Sequence, residues 1–290
     1  MTTARTAADM VLMYIAAAAL ALTALWLFLI FTKRPGDRLE PFCRKYIAHR
    51  GLFADGIPEN SLSAFKRAAD AGFGIELDVQ LTADSKLAVF HDSDLKRMFG
   101  VGGRISEMTY GELSKLSFPG TGEGVPLLCD VLDCVDGRAP VIIEIKSYGR
   151  AEETCRAVCA ELSGRRGEYC VESFDPLVLK ILKKIAPQIE RGQLSQNFLK
   201  NRSGASFAAR FSATCLLADF IARPSFIAYN HRHRIPFSAR LLKRIGAARL
   251  AAWTVKSEEE LERAEKFYDI IIFDSFIPSR REDQNNQIGR

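Results

Sequence analysis

The chain has 290 residues, of which 48% are hydrophobic and 26% charged, and its formal net charge is +5. This composition excludes a disordered protein, and the length suits one large domain or two small ones. The modest positive charge favours an anionic partner such as a phosphate ester or an acidic lipid surface, whereas no basic tract interleaved with aromatic residues points to a nucleic acid.

The cysteines are seven in number and scattered along the chain, without a CxxC pair. Their spacing indicates neither a zinc site nor a disulfide framework. Unpaired thiols fit a reducing compartment better than an oxidising one.

A long uncharged stretch lies near the N-terminus, at residues 10–31. It predicts a transmembrane helix, because about 20 apolar residues cross the hydrocarbon core of a bilayer. We assign residues 1–9 to an N-terminal tail, residues 10–32 to the transmembrane helix and residues 33–44 to a linker. A secretory signal would have a shorter apolar region of about 7–15 residues behind a basic segment. We favour a membrane span over a buried core helix because the stretch is apolar on all faces.

Basic residues are distributed unevenly around this helix. Only Arg5 precedes it. The basic side chains that follow it are Lys33, Arg34, Arg38, Arg44 and Lys45. The positive-inside rule then predicts a single-pass protein of the cell membrane with its C-terminal region in the cytoplasm. Export of that region across the membrane is the alternative.

Strand-like and helix-like segments alternate over residues 45–279, which indicates an α/β domain. The strand candidates are residues 46–49, 74–79, 87–91, 141–146, 169–173, 190–194, 226–229, 249–255 and 270–274. The helix candidates are residues 61–71, 151–163, 176–186, 207–221, 238–245 and 257–267. Residues 207–221 are rather apolar, and we favour a buried helix over a membrane-touching surface. A polar tail, residues 280–290, ends the chain.

The nine strand candidates are one more than an eight-stranded barrel needs. Residues 80–86, between the second and the third, are too few for a helical crossover between parallel strands. Either one barrel unit lacks its helix, or one of the nine is not a barrel strand. Residues 95–130 are rich in glycine and interrupt the alternation, so they predict an insertion packed over one rim.

Carboxylates interrupt the apolar strand candidates at residues 74–79 and 141–146. Glu76 and Asp78 share one face of a strand because side chains alternate with period two, and Glu144 and Lys146 repeat this geometry on another strand. Buried carboxylates side by side are costly unless a cation lies between them. The three acids therefore predict an oxygen-rich site for one Ca²⁺ or Mg²⁺ ion. A solvated strand edge or a Lys–Glu ion pair is the alternative for either pair alone.

Two of the four histidines, His49 and His91, end apolar runs. Histidine gives or takes a proton near neutral pH, so the pair suits cleavage of a phosphodiester, with one ring accepting a proton and the other donating one. Arg50 adds a fork of donors for phosphate oxygens. Gly51 lets the backbone approach a ligand closely.

These motifs together resemble the glycerophosphodiester phosphodiesterase family. The residues that carry the resemblance are His49-Arg50-Gly51, Pro58-Glu59-Asn60-Ser61, Glu76-Leu77-Asp78-Val79, His91-Asp92, Glu144-Ile145-Lys146, Ser173-Phe174 and Trp253-Thr254-Val255. They occur in the family's order and span nearly all of residues 46–278. Any one of them alone would be a weak signal.

The resemblance implies a (β/α)₈ TIM barrel with a small insertion after the third strand, preceded here by the single transmembrane helix. It implies a site at the C-terminal face of the barrel, where Glu76, Asp78 and Glu144 bind the metal. His49 and His91 would be the acid and base. The remaining roles fall to Arg50 and Lys146, which would hold the phosphate, to Glu59, which would orient the site, and to Trp253, which would form a wall of the pocket.

The implied reaction is hydrolysis of a glycerophosphodiester to glycerol 3-phosphate and an alcohol. The membrane helix raises an alternative, a lysophospholipase D that acts on membrane lysophospholipids. A non-catalytic barrel that binds a phospholipid is a third possibility, disfavoured because each acid, base and ligand position is filled. Residues 270–275 and the basic run at residues 230–234 depart from the family's pattern, which puts the substrate in doubt but not the chemistry.

Overall fold

A computed structural model describes residues 2–200 and 204–279 of the chain. Within these ranges the strands are β1 (Tyr46–His49), β2 (Gly74–Leu81), β3 (Leu87–Val89), β4 (Val141–Ile145), β5 (Tyr169–Ser173), β6 (Glu190–Ser195), β7 (Phe226–Asn230), β8 (Arg249–Val255) and β9 (Ile270–Phe273). The helices are α1 (Thr2–Leu29), α2 (Glu40–Arg44), α3 (Leu62–Asp70), α4 (Lys96–Phe99), α5 (Tyr110–Leu113), α6 (Leu128–Val135), α7 (Ala151–Leu162), α8 (Pro176–Ile185), α9 (Phe207–Cys215), α10 (Asp219–Ala222), α11 (Phe237–Arg244) and α12 (Glu258–Glu265).

The strands close into a parallel barrel. β1 pairs in parallel with both β9 and β2, and the ring continues through β4, β5, β6, β7 and β8. β3 instead pairs antiparallel with β2 and lies outside the ring. Among the described residues this leaves eight barrel strands, which confirms the predicted TIM barrel. It also decides between the two alternatives left by the sequence, because the third strand candidate is not a barrel strand and α6 supplies the crossover to β4.

The barrel strands are buried on both faces, as expected when helices cover a parallel sheet. β4 reads Val-Ile-Ile-Glu-Ile, and all five of its residues are buried. One apolar cluster fills the barrel, whereas another lies between the strands and the surrounding helices. The insertion has an apolar core of its own, in which Phe99 stacks on Phe118 with ring centroids 4.9 Å apart.

The segment predicted as a linker closes the bottom of the barrel. A 3₁₀ turn at Asp37–Leu39 leads into α2, and Leu39 and Phe42 are 1% and 0% exposed. Both side chains belong to the apolar cluster that fills the barrel. We call this segment, residues 37–44, the basal plug. Leu39 and Phe42 of this segment are therefore part of the packed core.

The end of α1 runs down the outside of the barrel. Trp26 stacks on Phe237, the first residue of α11, with ring centroids 5.8 Å apart. Further along the chain, the rings of Phe28 and Phe220 of α10 pack with their centroids 5.2 Å apart. Thr32 Oγ1 donates to the carbonyl of Ala247, which lies beyond the end of α11. α1 therefore runs in the same direction as α11. Residues 8–25 are exposed, and α1 is long and apolar enough to cross a membrane.

The predicted helix at residues 207–221 is broken and only partly buried. It divides into α9 and α10 because Leu216 adopts a left-handed conformation, with φ 64°. Phe207 and Phe211 lie on the surface, and Thr214 is the only buried residue of α9. The prediction of a buried helix is therefore wrong for the first two turns, where the apolar side chains face outward.

Candidate active site

The register of the sheet brings the ionisable strand residues together at one end of the barrel. His49 of β1 lies beside Glu76 of β2, and Asp78 lies beside Glu144 of β4. Glu144 in turn lies beside Glu172 of β5. This is the C-terminal end of the strands, where TIM barrels carry their active sites.

Glu76, Asp78 and Glu144 form a compact acidic cluster, in which one oxygen of each lies within 4.8 Å of the others. All three are buried. Lys146 Nζ lies 2.8 Å from Glu144 Oε1 and 3.1 Å from Asp78 Oδ1. Asn60 donates to Asp78 Oδ2 at 2.9 Å. The cluster therefore contains three carboxylates and one compensating lysine.

The protonation of this cluster reflects its surplus of negative charge. Burial, together with repulsion from Asp78 and other carboxylates, raises the pKa of Glu76 well above its usual value. Burial also raises the pKa of Glu144 to about 7. The pKa of Asp78 is lowered, because Lys146, His91 and Arg50 outweigh the opposing effect of its burial. Two of the three acids are thus poised to hold a proton unless a cation joins them.

The donor set fits a hard divalent cation. Carboxylate oxygens are the preferred ligands of Ca²⁺ and Mg²⁺, and these three converge from two adjacent strands whose backbones fix their positions. Asp78 Oδ1 makes no hydrogen bond to the described residues, although it forms the ion pair with Lys146. A cation would satisfy this oxygen and offset the mutual repulsion of the three groups.

The two histidines are each held by a neighbouring carboxylate. His49 Nδ1 lies 3.0 Å from Asp274 Oδ2, and its Nε2 lies 4.0 Å from Glu76 Oε2. His91 Nδ1 lies 2.7 Å from Asp92 Oδ1. When Nδ1 carries the proton that the carboxylate accepts, Nε2 is left to exchange a proton with another partner. Burial lowers the pKa of His91.

Arg50 and Glu59 lie behind the acidic cluster. The Arg50 backbone N–H donates to Glu76 Oε2 at 3.0 Å, and its Nη1 donates to Glu59 Oε1 at 2.7 Å. Glu59 also accepts hydrogen bonds from both Nη atoms of Arg97, a residue of the insertion. The Nε of Arg97 donates to Asp92. Glu59 thus links Arg50 to the insertion.

Gly51 is required by packing. Its φ is +80°, and a Cβ at this position would lie 2.8 Å from the Cβ of Ala64 on α3. The backbone approaches α3 closely here, because the connection after β1 turns tightly onto that helix.

Aromatic and aliphatic side chains form one wall of the pocket above the cluster. Trp253 of β8 packs edge to face against Phe174, with ring centroids 5.6 Å apart. Both rings line the pocket together with Leu194 and Ile272. The indole N–H of Trp253 donates to the carbonyl of Ala228 at 2.9 Å, which fixes the ring. This wall suits an uncharged part of a ligand.

The basic run at residues 230–234 is largely tied to the protein. His231 Nε2 lies 3.0 Å from the carbonyl of Thr254, and Arg232 Nε donates to Glu260 at 2.9 Å. His233 Nδ1 accepts the backbone N–H of Asn197. Three of its four basic side chains therefore have structural partners, and Arg234 remains exposed.

Two acids of the site were missed by sequence reasoning. No role is predicted for Asp274 from the sequence, yet its Oδ2 lies 3.0 Å from His49 Nδ1. Its pKa is lowered because His49, Ser275 and Lys256 outweigh the opposing effect of burial. Glu172 lines the pocket, and its Oε2 has no hydrogen-bond partner among the described residues. The signal for both was present, because each interrupts or ends an apolar strand as Glu76 does.

Comparisons with known proteins agree with this geometry. Residues 49–276 match the model of the glycerophosphoryl diester phosphodiesterase family. A glycerophosphodiester phosphodiesterase of Caldanaerobacter subterraneus subsp. tengcongensis is 33% identical over 229 residues, which cover 75% of this chain and 88% of that protein. A lysophospholipase D of Rattus norvegicus is 35% identical over 120 residues, covering 37% of this chain and 38% of that protein.

A solved structure has the same fold. The phosphodiesterase of Oleispira antarctica, in complex with the product sn-glycerol-3-phosphate, superposes with a TM-score of 0.67 at 21% identity and covers 84% of this chain and 96% of that one. The family match spans most of the chain, and the related enzyme is matched over most of its length. The chain therefore belongs to the glycerophosphoryl diester phosphodiesterase family, a class of phosphoric diester hydrolases.

Proposed function

We propose that this enzyme hydrolyses glycerophosphodiesters to glycerol 3-phosphate and an alcohol, with a divalent cation at Glu76, Asp78 and Glu144. The observation that carries the proposal is the convergence of these three buried carboxylates beside two carboxylate-held imidazoles. When bound, the cation would polarise the phosphoryl group and stabilise the charge that develops on it.

The remaining steps fall to the chain's own side chains. Arg50 and Lys146 bind phosphate oxygens, because both cations lie beside the acidic cluster. One of His49 and His91 accepts the proton of the attacking oxygen through Nε2, and the other gives a proton to the departing alcohol. Asp274 and Asp92 hold the two rings through Nδ1. Trp253 and Phe174 exclude water on the side of the alcohol.

The reaction is tested with the full chain in detergent and glycerophosphocholine as substrate. We expect release of glycerol 3-phosphate and choline in equal amounts, measured by coupled assays for each product. Release of phosphocholine and glycerol instead would mean that the bond between phosphorus and the glycerol oxygen is cleaved, which would contradict the proposed reaction. The absence of any turnover by the correctly folded chain would contradict the proposal.

A second candidate is lysophospholipase D activity, which a separate cavity favours. This cavity lies between β6, α8 and α9, and it shares Phe174 and Leu194 with the catalytic pocket. Its other walls include Phe198 and Leu216, so it is suited to a hydrocarbon chain. Lysophosphatidylcholine, offered beside glycerophosphocholine in the same assay, would yield choline and a lysophosphatidic acid if this activity is present.

We further propose that α1 anchors the enzyme in the cell membrane with the barrel in the cytoplasm. The support is the length of the uncharged helix and the excess of basic residues that follow it. A reporter fused to the C-terminus and labelled from either side of the membrane tests this orientation.

Replacing Asp274 by asparagine is expected to lower kcat about 10²-fold with little change in KM. The amide cannot supply the negative charge that stabilises a protonated His49 ring, and it can hold the wrong tautomer. Asp269→Asn, which removes a carboxylate near the other end of β9, is the matched control and should reduce stability without lowering kcat.

A further inference from the structure

Exposed apolar side chains, three of them aromatic, lie on one part of the mouth side of the barrel. Leu199 lies in the loop after β6, Phe207 and Phe211 begin α9, and Phe237 begins α11. Their exposed fractions are 39%, 65%, 43% and 63%. We call these four residues the rim patch. Each follows the C-terminal end of β6 or β7, so the patch lies on the same side of the molecule as the catalytic pocket.

The direction of α1 places its free part on this same side. Trp26 contacts the start of α11 and Thr32 contacts the chain beyond its end, so α1 descends from the mouth side toward the base. Residues 8–25 must then extend beyond the start of α11, on the mouth side. At about 1.5 Å per residue they reach roughly 27 Å, close to the thickness of the hydrocarbon core.

The charge around the rim patch suits an anionic lipid surface. Residues 196–218 contain no aspartate or glutamate but include Lys200 and Arg210. Residues 231–245 also contain no acid, and Arg234 and Arg240 are exposed there. Aromatic side chains flanked by basic ones are the combination that binds the interface of a bilayer with anionic headgroups.

We propose that the rim patch docks on the bilayer that holds α1, so that the catalytic mouth faces the lipid headgroups. The anchor and the patch then engage one surface, with Trp26 and Phe237 at its level. A substrate that remains in the membrane can enter the pocket from this side. This inference rests on the proposed anchoring of α1 and concerns the orientation of the barrel, whereas the reaction itself is tested with a water-soluble substrate.

Fluorescence quenching by lipid tests the orientation directly. In full-length protein with Trp26→Phe, one variant carries Phe207→Trp and its matched control carries Ile245→Trp. Ile245 is 57% exposed, similar to Phe207, but follows the end of α11, at the base. In vesicles of brominated phosphatidylcholine with phosphatidylglycerol, we expect strong quenching at position 207 and none beyond the background at position 245. Equal quenching at both positions, or none at 207, would overturn the proposal.

Turnover of two substrates gives an independent test. Phe207→Asp combined with Phe211→Asp should lower hydrolysis of lysophosphatidylcholine in vesicles about tenfold or more, because two aromatic contacts with the bilayer are lost. Hydrolysis of soluble glycerophosphocholine should stay unchanged, which also shows that the variant folds. Ile245→Asp is the control and should affect neither substrate.

The outcomes separate this proposal from the proposed function. If the wild-type protein hydrolyses neither substrate, the assigned reaction is contradicted. Quenching at position 207 does not depend on catalysis and still tests the orientation. If the double variant instead converts a dimer to a monomer in detergent and position 207 is not quenched by lipid, the rim patch covers a second copy of the chain and the membrane proposal is wrong.

Discussion

Replacing His91 or His49 by alanine is expected to lower kcat by about 10²–10⁴-fold on glycerophosphocholine. Each imidazole is oriented by a carboxylate through Nδ1, so each removal deletes one proton-transfer group while the acidic cluster stays in place. The rate is measured from the release of choline at saturating substrate.

A second substrate assigns the two roles. A p-nitrophenyl phosphodiester has a leaving group that departs without a proton, so the variant that lacks the general acid should lose far less activity on it. The variant that lacks the general base should lose as much on both substrates. His233→Ala is the control, because its ring accepts the backbone N–H of Asn197 and does not line the catalytic pocket. Unchanged turnover in either active-site variant would remove that histidine from the mechanism.

Removal of the cation is expected to abolish activity and to destabilise the protein. Chelation should stop turnover, and either Ca²⁺ or Mg²⁺ should restore it. A cation present at 100 times its dissociation constant adds about 2.7 kcal/mol to the free energy of unfolding. Thermal unfolding with and without chelator measures this difference. Activity that survives chelation would contradict the assignment of the metal.

Glu76→Gln tests whether the negative charge of Glu76 serves to bind the cation rather than to stabilise the fold. The substitution removes a ligand, so the stabilisation by added cation should largely disappear, together with activity. Without metal, however, the variant should be at least as stable as the wild type, because burial and repulsion already raise the pKa of Glu76. Glu152→Gln, on the exposed face of α7, is the control and should keep both activity and the response to metal.

The barrel and most of its strands could be predicted because their signals are local. Val141–Ile145 is a short apolar run with one carboxylate, and it forms β4 within one residue of the predicted end. β3 could not be assigned from its own sequence, because an antiparallel strand outside the barrel is as apolar as a strand within it. Only its pairing with β2 distinguishes it.

The basal plug and the surface of α9 could not be predicted for a different reason. Leu39 and Phe42 lie in a short segment rich in charge, and their burial depends on the open end of a barrel formed by distant strands. Phe207 and Phe211 are of a residue type that is common in protein cores, yet their side chains face outward from the helix. In both cases the tertiary arrangement decides burial, and the local pattern points the other way.

The candidate site was predicted more fully than the fold around it. The convergence of Glu76, Asp78 and Glu144 follows from strand ends and side-chain alternation, which a sequence displays directly. The partners of the histidines were less visible, because Asp274 is separated from His49 by 225 residues and meets it only when the barrel closes between β1 and β9.

The basal plug restricts where the chain can be cut between α1 and the barrel. A protease that cuts within residues 33–36 would release a barrel whose lower opening is still sealed by Leu39 and Phe42. A cut after Arg44 would release the same catalytic residues with that opening exposed to water. A barrel separated from α1 therefore has to begin upstream of Asp37 to keep its lower opening sealed.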